Sequence, residues 1–296
     1  MQKLLVILGP TASGKSALAV ELAKQFNGEV ISADSRQVYK GLDIGTGKIT
    51  KEEMQGIPHH LLDVADPKIP FSVEHYKILA EQAIIDIFTR QKLPILCGGT
   101  GFYISAVVDN ISLPKVPPNQ ELRKELEKET AETLFTQLQK LDSRRAEAID
   151  SKNKVRLIRA IEITQKLGKV PNLDVQRLSD YDTLQIGLTV PDEVLKKRIA
   201  DRINSRIKIG MIEEAQKFHS EELSYERMHA LGLEYRYLAE LLQNNSSKEE
   251  FVSKLNNEIW QYVKRQKTWF KKDPRIKWFD FQDHEKIAKE IEKFLG

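Results

Sequence analysis

The sequence predicts an α/β fold in which a parallel sheet is flanked by helices and interrupted by a helical insertion. Short apolar runs alternate with helical patterns, a glycine-rich turn follows the first run, and a charged stretch with helical spacing separates the third run from the fourth. Strands that alternate with helices form parallel sheets, because each crossover needs a helix-length connection. We therefore predict a core of residues 1–111 and 182–296, with residues 112–181 as a helical insertion domain.

The elements of the core follow from the spacing of the apolar residues. Predicted strands cover residues 3–8, 29–33, 93–97 and 183–190, and predicted helices cover residues 15–26 and 72–90, with mostly helical sequence at residues 192–270. The strands are short apolar runs, whereas the helices repeat apolar residues every three or four positions. Ligands of parallel sheets bind beyond the carboxyl ends of the strands. The turns that begin at Gly9, Asp34 and Gly98 should therefore share one edge.

Composition indicates a globular protein that does not enter membranes. The chain has 296 residues, of which 41% are hydrophobic and 30% are charged, and its net charge is +3. No apolar run reaches the ~18 residues of a membrane span, and the first strand starts too early to leave room for a signal peptide. We expect a cytoplasmic location. The single cysteine, Cys97, excludes an internal disulfide and a cysteine-based zinc site.

A phosphate-binding loop follows the first predicted strand. It comprises Gly9, Pro10, Thr11, Ala12, Ser13, Gly14, Lys15 and Ser16. The pattern G-x-x-x-x-G-K-[ST] between a strand and a helix lets backbone N–H groups and the helix N-terminus bind a di- or triphosphate. Lys15 supplies a mobile charge and Ser16 a hydroxyl for Mg²⁺. An ordinary strand–turn–helix corner is the alternative, which this context disfavours, so we predict a core like that of P-loop NTPases.

Polar residues follow the neighbouring strands. Asp34 could hold Mg²⁺ through water or accept a proton from a bound nucleophile, whereas an isolated aspartate here would cap the turn. Thr100 would present a hydroxyl to the same site or cap the next helix. The third strand ends in Cys97 instead of the aspartate that holds Mg²⁺ in many P-loop NTPases. That difference weakens an ATPase interpretation without excluding a kinase.

Two arginines are spaced for anion binding on a predicted helix. Arg202 and Arg206 lie at positions i and i+4, and therefore on one face. Either guanidinium could offset the charge of a leaving diphosphate. The alternative is a solvated basic face in which these arginines pair with Asp201 and Glu213.

A basic cluster near the C-terminus suits RNA. It comprises Lys264, Arg265, Lys267, Lys271, Lys272, Arg275 and Lys277, interleaved with Trp269 and Trp278. Such a cluster fits a phosphate backbone with aromatic rings available for stacking, although a solvated charged face is the common alternative. The adjacent His59 and His60 should point to opposite sides of a strand, which makes them poor joint metal ligands.

Five motifs, at residues 9–16, 31–48, 58–63, 98–103 and 264–270, follow one another along nearly the whole chain. Together they resemble the motifs of the tRNA dimethylallyltransferases, also called tRNA isopentenyltransferases. The resemblance implies transfer of a dimethylallyl group from dimethylallyl diphosphate to N6 of an adenosine, with release of diphosphate. That adenosine lies 3′ of the anticodon in tRNAs that read codons beginning with U. The P-loop would then hold the diphosphate of the donor rather than ATP, and the helical insertion would grip the tRNA.

The resemblance also implies roles for individual residues. Asp34 would be the general base that takes the N6 proton, Thr100 and Arg123 would contact the tRNA, and Arg206 would lie beside the reacting centre. Further tRNA contacts are expected from Asp34 itself and from Ser35, Arg36, Gln37, Arg156, Arg159, Lys264 and Arg265. Residues 228–236 fit the glycine-tyrosine motif of the family only loosely. The sequence after the last motif lacks the zinc-finger extension of eukaryotic members, so we expect a bacterial-type or organellar member.

The expected partners are dimethylallyl diphosphate, the anticodon stem-loop of tRNA and Mg²⁺, and we expect a monomer. Lys15, the loop amides, Ser16 with Mg²⁺, and Arg206 would stabilise the departing diphosphate. The adenine would leave its stack to reach the donor. Three alternatives stay open: a P-loop kinase of small molecules, a prenyltransferase of free adenine nucleotides, and a non-catalytic RNA-binding module.

Overall fold

The computed structural model describes residues 1–171 and 181–296. Its strands are β1 (Gln2–Leu8), β2 (Gly28–Ala33), β3 (His59–His60), β4 (Leu93–Gly98), β5 (Tyr181–Thr189) and β6 (Lys277–Asp280). In the described residues these six strands form one sheet in the order β3-β2-β4-β1-β5-β6, and each neighbouring pair is parallel. The predicted α/β class with a parallel sheet is confirmed.

The helices complete the alternating pattern. In chain order they are α1 (Lys15–Gln25), α2 (Lys51–Met54), α3 (Val73–Thr89), α4 (Gly101–Val108), α5 (Gln120–Leu126), α6 (Ala131–Leu141), α7 (Ser143–Glu147), α8 (Lys154–Leu167), α9 (Asp192–Lys208), α10 (Met211–Ser220), α11 (Tyr225–Leu231), α12 (Leu233–Leu242), α13 (Lys248–Phe270) and α14 (His284–Leu295). The helices expected at residues 15–26 and 72–90 correspond to α1 and α3. The sequence interpretation did not include β6 or α14.

Helices cover both faces of the sheet. Along β1, Leu4, Val6 and Leu8 pack into a core shared with α3, α4 and α9 to α13, while Leu5 and Ile7 pack into a second core with α1 and α14. Successive side chains of a strand point to opposite faces, so burial on both faces explains the unbroken apolar run.

The register of the sheet brings three strand ends to one edge. In the sheet, Leu8 pairs with Gly98, and Gly98 pairs with Ala33. β1, β4 and β2 therefore end together. The segments that follow them begin at Gly9, Gly99 and Asp34, as the sequence predicts for a ligand site beyond the carboxyl ends of parallel strands.

The chain divides into two compact units. One comprises Met1–Asp109 and Leu178–Gly296, and the other comprises Asn110–Arg177. The second unit contains α5 to α8 and no strand among its described residues. It has an apolar core of its own, to which Leu134, Leu138 and Leu157 contribute. In the ranges that the structure describes, no helix combines the length and apolar character needed to cross a membrane.

A buried carboxylate ties together the outer part of the sheet. Glu29 of β2 is 1% exposed and accepts hydrogen bonds from Arg90 Nη2 and Lys92 Nζ, both at 2.8 Å. His60 Nε2 lies 2.7 Å from the same carboxylate. The hydrogen bond from Arg90 is the largest cause that lowers the pKa of Glu29 to about 2, against the opposing effect of burial. His60 therefore has a structural partner.

We expect Glu29→Gln to lower the free energy of unfolding at pH 7 by about 2–3 kcal/mol. The folded-state pKa of Glu29 lies below its ordinary value of 4.5. Its stabilisation is therefore present above pH 4.5 and is lost as the pH falls towards 2. Urea unfolding at pH 7 and at pH 3 should show a difference between variant and wild type that shrinks at pH 3. The exposed control Glu213→Gln should change the free energy of unfolding by less than about 0.5 kcal/mol. An equal loss at both pH values would assign the effect to packing instead of charge.

Candidate active site

The phosphate-binding loop joins β1 to α1 in a conformation with open backbone groups. Ala12 and Gly14 have positive φ angles of 63° and 93°. Gly14 precedes α1 without a side-chain cap, and the first turn of the helix contains no acidic residue. The N-terminal amides of α1 thus remain available, together with the positive end of the helix dipole, for an anion.

Two long-range contacts hold this loop in place. Arg198 Nη1 donates to the Ala12 carbonyl at 3.2 Å. Gln266 of α13 accepts a hydrogen bond from the Thr11 N–H at 2.9 Å and donates to the Gly99 carbonyl at 2.9 Å. Gln266 is buried and joins the two glycine-rich turns. Sequence reasoning placed Gln266 in the closing motif without a role.

The spacing of α13 contains a signal that could have identified Gln266. Buried apolar residues of this helix include Ile259, Val263 and Phe270. Gln266 lies three positions after Val263 and four before Phe270, on the same buried stripe. A glutamine at such a position requires hydrogen-bond partners inside the protein.

Asp34 follows β2 directly and has one oxygen engaged and one open. Its Oδ1 accepts hydrogen bonds from the N–H groups of Arg36 at 2.8 Å and Gln37 at 3.3 Å. Among the described residues, Oδ2 has no hydrogen-bond partner. Asp34 therefore stabilises the turn, as the structural alternative required, and also presents a carboxylate oxygen to the cleft that it lines.

Thr100 supports the same turn. Its Oγ1 accepts a hydrogen bond from the Ser35 N–H at 3.0 Å. It occupies the N-cap position of α4, but its side chain does not cap the helix. The alternative prediction that the Thr100 hydroxyl caps α4 is therefore wrong. The hydroxyl binds the backbone of Ser35, which follows Asp34.

One cleft brings together the phosphate loop and the turn after β2. Its lining includes Lys15, Ser16, Asp34, Gln37 and Arg202, and its cavity volume is ≈ 80 Å³. Desolvation is the main cause that lowers the pKa of Lys15, while the charge of Asp34 opposes it. Lys15 Nζ donates to the Pro10 carbonyl at 3.2 Å. The cleft thus contains two cations and a carboxylate.

The two arginines of α9 differ in their partners. Arg206 Nη1 lies 3.3 Å from Glu234 and 3.4 Å from the Gly45 carbonyl. Arg202 forms no ion pair within the described residues. The alternative pairing of these arginines with Asp201 and Glu213 is wrong, because Asp201 binds Lys197 at 2.8 Å and Arg206 uses the buried Glu234. Only Arg202 of the two lines the cleft.

Residue Gly47 is the place where both guanidiniums meet. A Cβ built at Gly47 would lie 1.4 Å from Arg206 Nη2 and 2.8 Å from Arg202 Nη2, so that no other residue fits here without displacing them. Gln37 Nε2 donates to the Gly47 carbonyl at 3.2 Å. Gly47 lies within the motif at residues 31–48, but no individual role was predicted for it.

Within the insertion, two of the expected RNA-binding arginines are engaged internally. Arg123 binds the buried Glu162 through Nε at 2.9 Å and Nη2 at 2.8 Å, and Arg159 contacts the same carboxylate. Despite the opposing effect of burial, the Arg123 hydrogen bond leads the contacts that lower the pKa of Glu162. Arg156 is exposed and forms no ion pair in the described part of the chain. Their RNA contacts stay predictions.

The basic residues of α13 are partly paired. Arg265 binds Glu258 at 2.8 Å, and Lys267 contacts Asp192. Lys264 is exposed and forms no ion pair with any described residue. Within the basic cluster near the C-terminus, the exposed side chains of Lys264 and Arg265 are the cations of α13 that could bind an RNA phosphate.

Comparison with known proteins shows the relationship of the chain. The family model described as IPP transferase matches residues 37–273, and the model described as isopentenyl transferase matches residues 2–69. A protein of Halalkalibacterium halodurans named tRNA dimethylallyltransferase is 40% identical, with 100% of this chain and 97% of that protein covered. A protein of Thermoanaerobacter sp. with the same name is 41% identical over 99% of this chain and 98% of its own length.

Solved structures agree with this relationship. The crystal structure of a tRNA isopentenylpyrophosphate transferase from Bacillus halodurans is similar with a TM-score of 0.74 and 39% identity, covering 100% of this chain and 96% of that one. A eukaryotic dimethylallyltransferase acting on tRNA is similar with a TM-score of 0.81 and 27% identity, covering 96% of this chain and 75% of that one. The resemblance inferred from the motifs is confirmed, and the chain belongs to the IPP transferase family.

Proposed function

We propose that this protein transfers a dimethylallyl group from dimethylallyl diphosphate to N6 of the adenosine 3′ to the anticodon, in tRNAs that read codons beginning with U. The observation that carries the proposal is the single cleft in which the phosphate loop and an aspartate with an open oxygen lie together. The names of the relatives, which specify tRNA and dimethylallyl or isopentenyl transfer, support the choice of acceptor and donor.

In this reaction the bond between C1 of the donor and its diphosphate oxygen breaks, and a bond between C1 and N6 forms. The electron pair of the broken bond leaves with the diphosphate. Lys15, the amides at the start of α1 and Arg202 stabilise the charge on the diphosphate. This stabilisation of developing charge lowers the activation barrier most. Asp34 Oδ2 accepts the proton that N6 loses. Adenine reaches the cleft only after it has left its stack.

Ser16 and Asp34 offer oxygen atoms for the proposed Mg²⁺ ion. The Ser16 hydroxyl is exposed at the start of α1, lines the cleft and has no hydrogen-bond partner among the described residues. No group of three or more His, Cys, Asp or Glu side chains in that part of the chain could hold a metal ion. Ser16 and the diphosphate oxygens would therefore hold Mg²⁺, with Asp34 acting through water, as this ion prefers. When bound, the ion would offset charge on the leaving diphosphate.

The insertion of residues 112–181 is proposed as the tRNA-gripping part, with Arg123, Arg156 and Arg159 as contacts. A tRNA acceptor implies a cytoplasmic location. We propose that the monomer is active.

Incubation with labelled dimethylallyl diphosphate and bulk tRNA tests the proposed function. We expect label in tRNA, and none in a tRNA whose adenosine beside the anticodon is replaced. Labelling of free AMP, ADP or ATP in place of tRNA would identify a nucleotide prenyltransferase. Release of ADP from ATP with a small acceptor would identify a kinase, and tRNA binding without turnover would indicate a binding module.

The exposed cations of α13 should contribute to tRNA affinity. We expect the double variant Lys264→Ala/Arg265→Ala to raise the Kd for tRNA about tenfold. The variant neutralises fewer RNA phosphates and therefore releases fewer counterions from the RNA when it binds. The slope of log K against log salt should decrease by about 1.5–2. Lys248→Ala, at the exposed start of the same helix, is the matched control and should leave both quantities unchanged. An unchanged salt slope in the double variant would remove these residues from the RNA interface.

A further inference from the structure

The loop of residues 43–47 forms part of the cleft wall and sets the position of two guanidiniums. Thr46 and Gly47 line the cleft. Arg202 and Arg206 both lie against Gly47, whose φ angle is 60°, and Arg206 also contacts the carbonyl of Gly45 at 3.4 Å. A shift of this loop would therefore move both guanidiniums, of which Arg202 lines the cleft.

One carboxylate holds the loop by its backbone. Glu214 of α10 accepts hydrogen bonds from three consecutive N–H groups: Asp43 at 3.0 Å and Ile44 at 2.8 Å on Oε2, and Gly45 at 2.8 Å on Oε1. Convergent backbone N–H groups form a strong site for an anion, and hydrogen bonds to an ionised acceptor are stronger than neutral ones. The anion here is a side chain of the protein itself.

Helix α12 completes this arrangement. The hydroxyl of Tyr235 donates to Glu214 Oε1 at 2.6 Å. Burial, followed by the charge of Glu214, raises the pKa of Tyr235, so its hydroxyl stays protonated and remains a donor. A Cβ at Gly45 would lie 2.9 Å from the Tyr235 ring, and this close approach requires glycine. The preceding residue, Glu234, binds Arg206.

We propose that Glu214 is a positioning residue for the diphosphate of the donor, acting through the loop of residues 43–47 on Arg202 and Arg206. Glu214 does not line the cleft, so its effect is indirect. The proposal rests on the proposed function for the identity of the donor. It assigns a purpose to three hydrogen bonds that link Glu214 to the loop and to a fourth that links Tyr235 to Glu214, none of which the sequence motifs explain.

The variant Glu214→Gln tests this role. Its amide retains one acceptor oxygen but presents N–H donors to N–H groups that need an acceptor, so the loop loses its anchor. We expect the KM for dimethylallyl diphosphate to rise about tenfold, and calorimetry should show a similar loss of affinity for inorganic diphosphate. The Kd for tRNA should change less than the affinity for diphosphate, because Lys264 and Arg265 of α13 form no hydrogen bond or ion pair with this loop in the described part of the chain.

Two further variants make the test decisive. Tyr235→Phe removes one of the four hydrogen bonds and should raise the KM for dimethylallyl diphosphate about threefold. If Glu214→Gln does not fold, this variant tests the positioning role in its place. Glu213→Gln, an exposed neighbour on the same helix, should behave as wild type. A lower melting temperature with unchanged donor KM and unchanged diphosphate affinity would show a merely structural role and overturn the inference. Failure of the wild-type protein to prenylate tRNA would instead overturn the proposed function.

Discussion

Replacing Asp34 with asparagine should lower kcat for prenyl transfer to tRNA by about 10²–10⁴-fold. The reason lies in the unequal use of its two oxygens. Oδ1 accepts the N–H groups of Arg36 and Gln37, whereas Oδ2 has no hydrogen-bond partner in the described part of the chain, and Asp34 lines the cleft. Asparagine keeps the first oxygen and the turn but replaces the second with an amide that cannot take a proton. Single-turnover measurements with saturating donor and tRNA report the chemical step directly.

A matched control separates base catalysis from turn geometry. Asp66 is exposed and accepts the N–H of Lys68 through Oδ1 at 2.8 Å, in a similar turn. Asp66→Asn should therefore leave kcat and tRNA affinity unchanged. Asp34→Asn should bind tRNA with wild-type affinity, whereas Asp34→Ala loses both turn hydrogen bonds and should also be less stable. Full activity of Asp34→Asn would remove this carboxylate from the mechanism.

The core of the fold could be predicted because its signals are local. Buried parallel strands are short apolar runs, and their ends coincide with the glycine turn, Asp34 and Gly98. β6 was not predicted because its four residues are largely exposed at the edge of the sheet, where pairing with β5 defines the strand. Its Trp278 was therefore read only as part of a basic cluster. An edge strand depends on its neighbour and carries a weak pattern of its own.

The cleft was predictable in part for the same reason. Lys15 and Asp34 follow strands directly, and local sequence was enough to bring them to one edge of the sheet. Glu214 and Gln266 were missed because their partners are distant in sequence: the Glu214 contact to Asp43 spans 171 residues, and the Gln266 contact to Thr11 spans 255. Helical spacing predicts on which face of a helix a side chain lies, but it does not predict which distant loop contacts that face.

Arg202 and Arg206 also show that sequence spacing does not reveal the partners of a side chain. Their i, i+4 spacing predicts that both side chains lie on one face of α9. This agrees with the structure, in which both guanidiniums lie against Gly47. The spacing does not reveal that Arg206 is held by Glu234 and the Gly45 carbonyl, whereas Arg202 forms no ion pair among the described residues. Desolvation, followed by the charge of Arg206, lowers the pKa of Arg202 to about 10. Arg202 therefore stays charged at neutral pH, and its guanidinium, which forms no ion pair with a described residue, can bind an anion in the cleft.

Arg202→Ala should accordingly lower kcat/KM for dimethylallyl diphosphate by about 10²–10³-fold, because it removes a cation that acts where negative charge develops. Stability should not decrease, since no buried carboxylate loses its partner. Arg206→Ala should instead lower the melting temperature as well as activity, because Glu234 stays buried without its cation. Lys208→Ala, an exposed cation on α9, should match wild type in both measurements. If Arg202→Ala kept wild-type kcat/KM, the diphosphate would be stabilised by Lys15, the loop amides and Arg206 alone, and the assignment of Arg202 would be wrong.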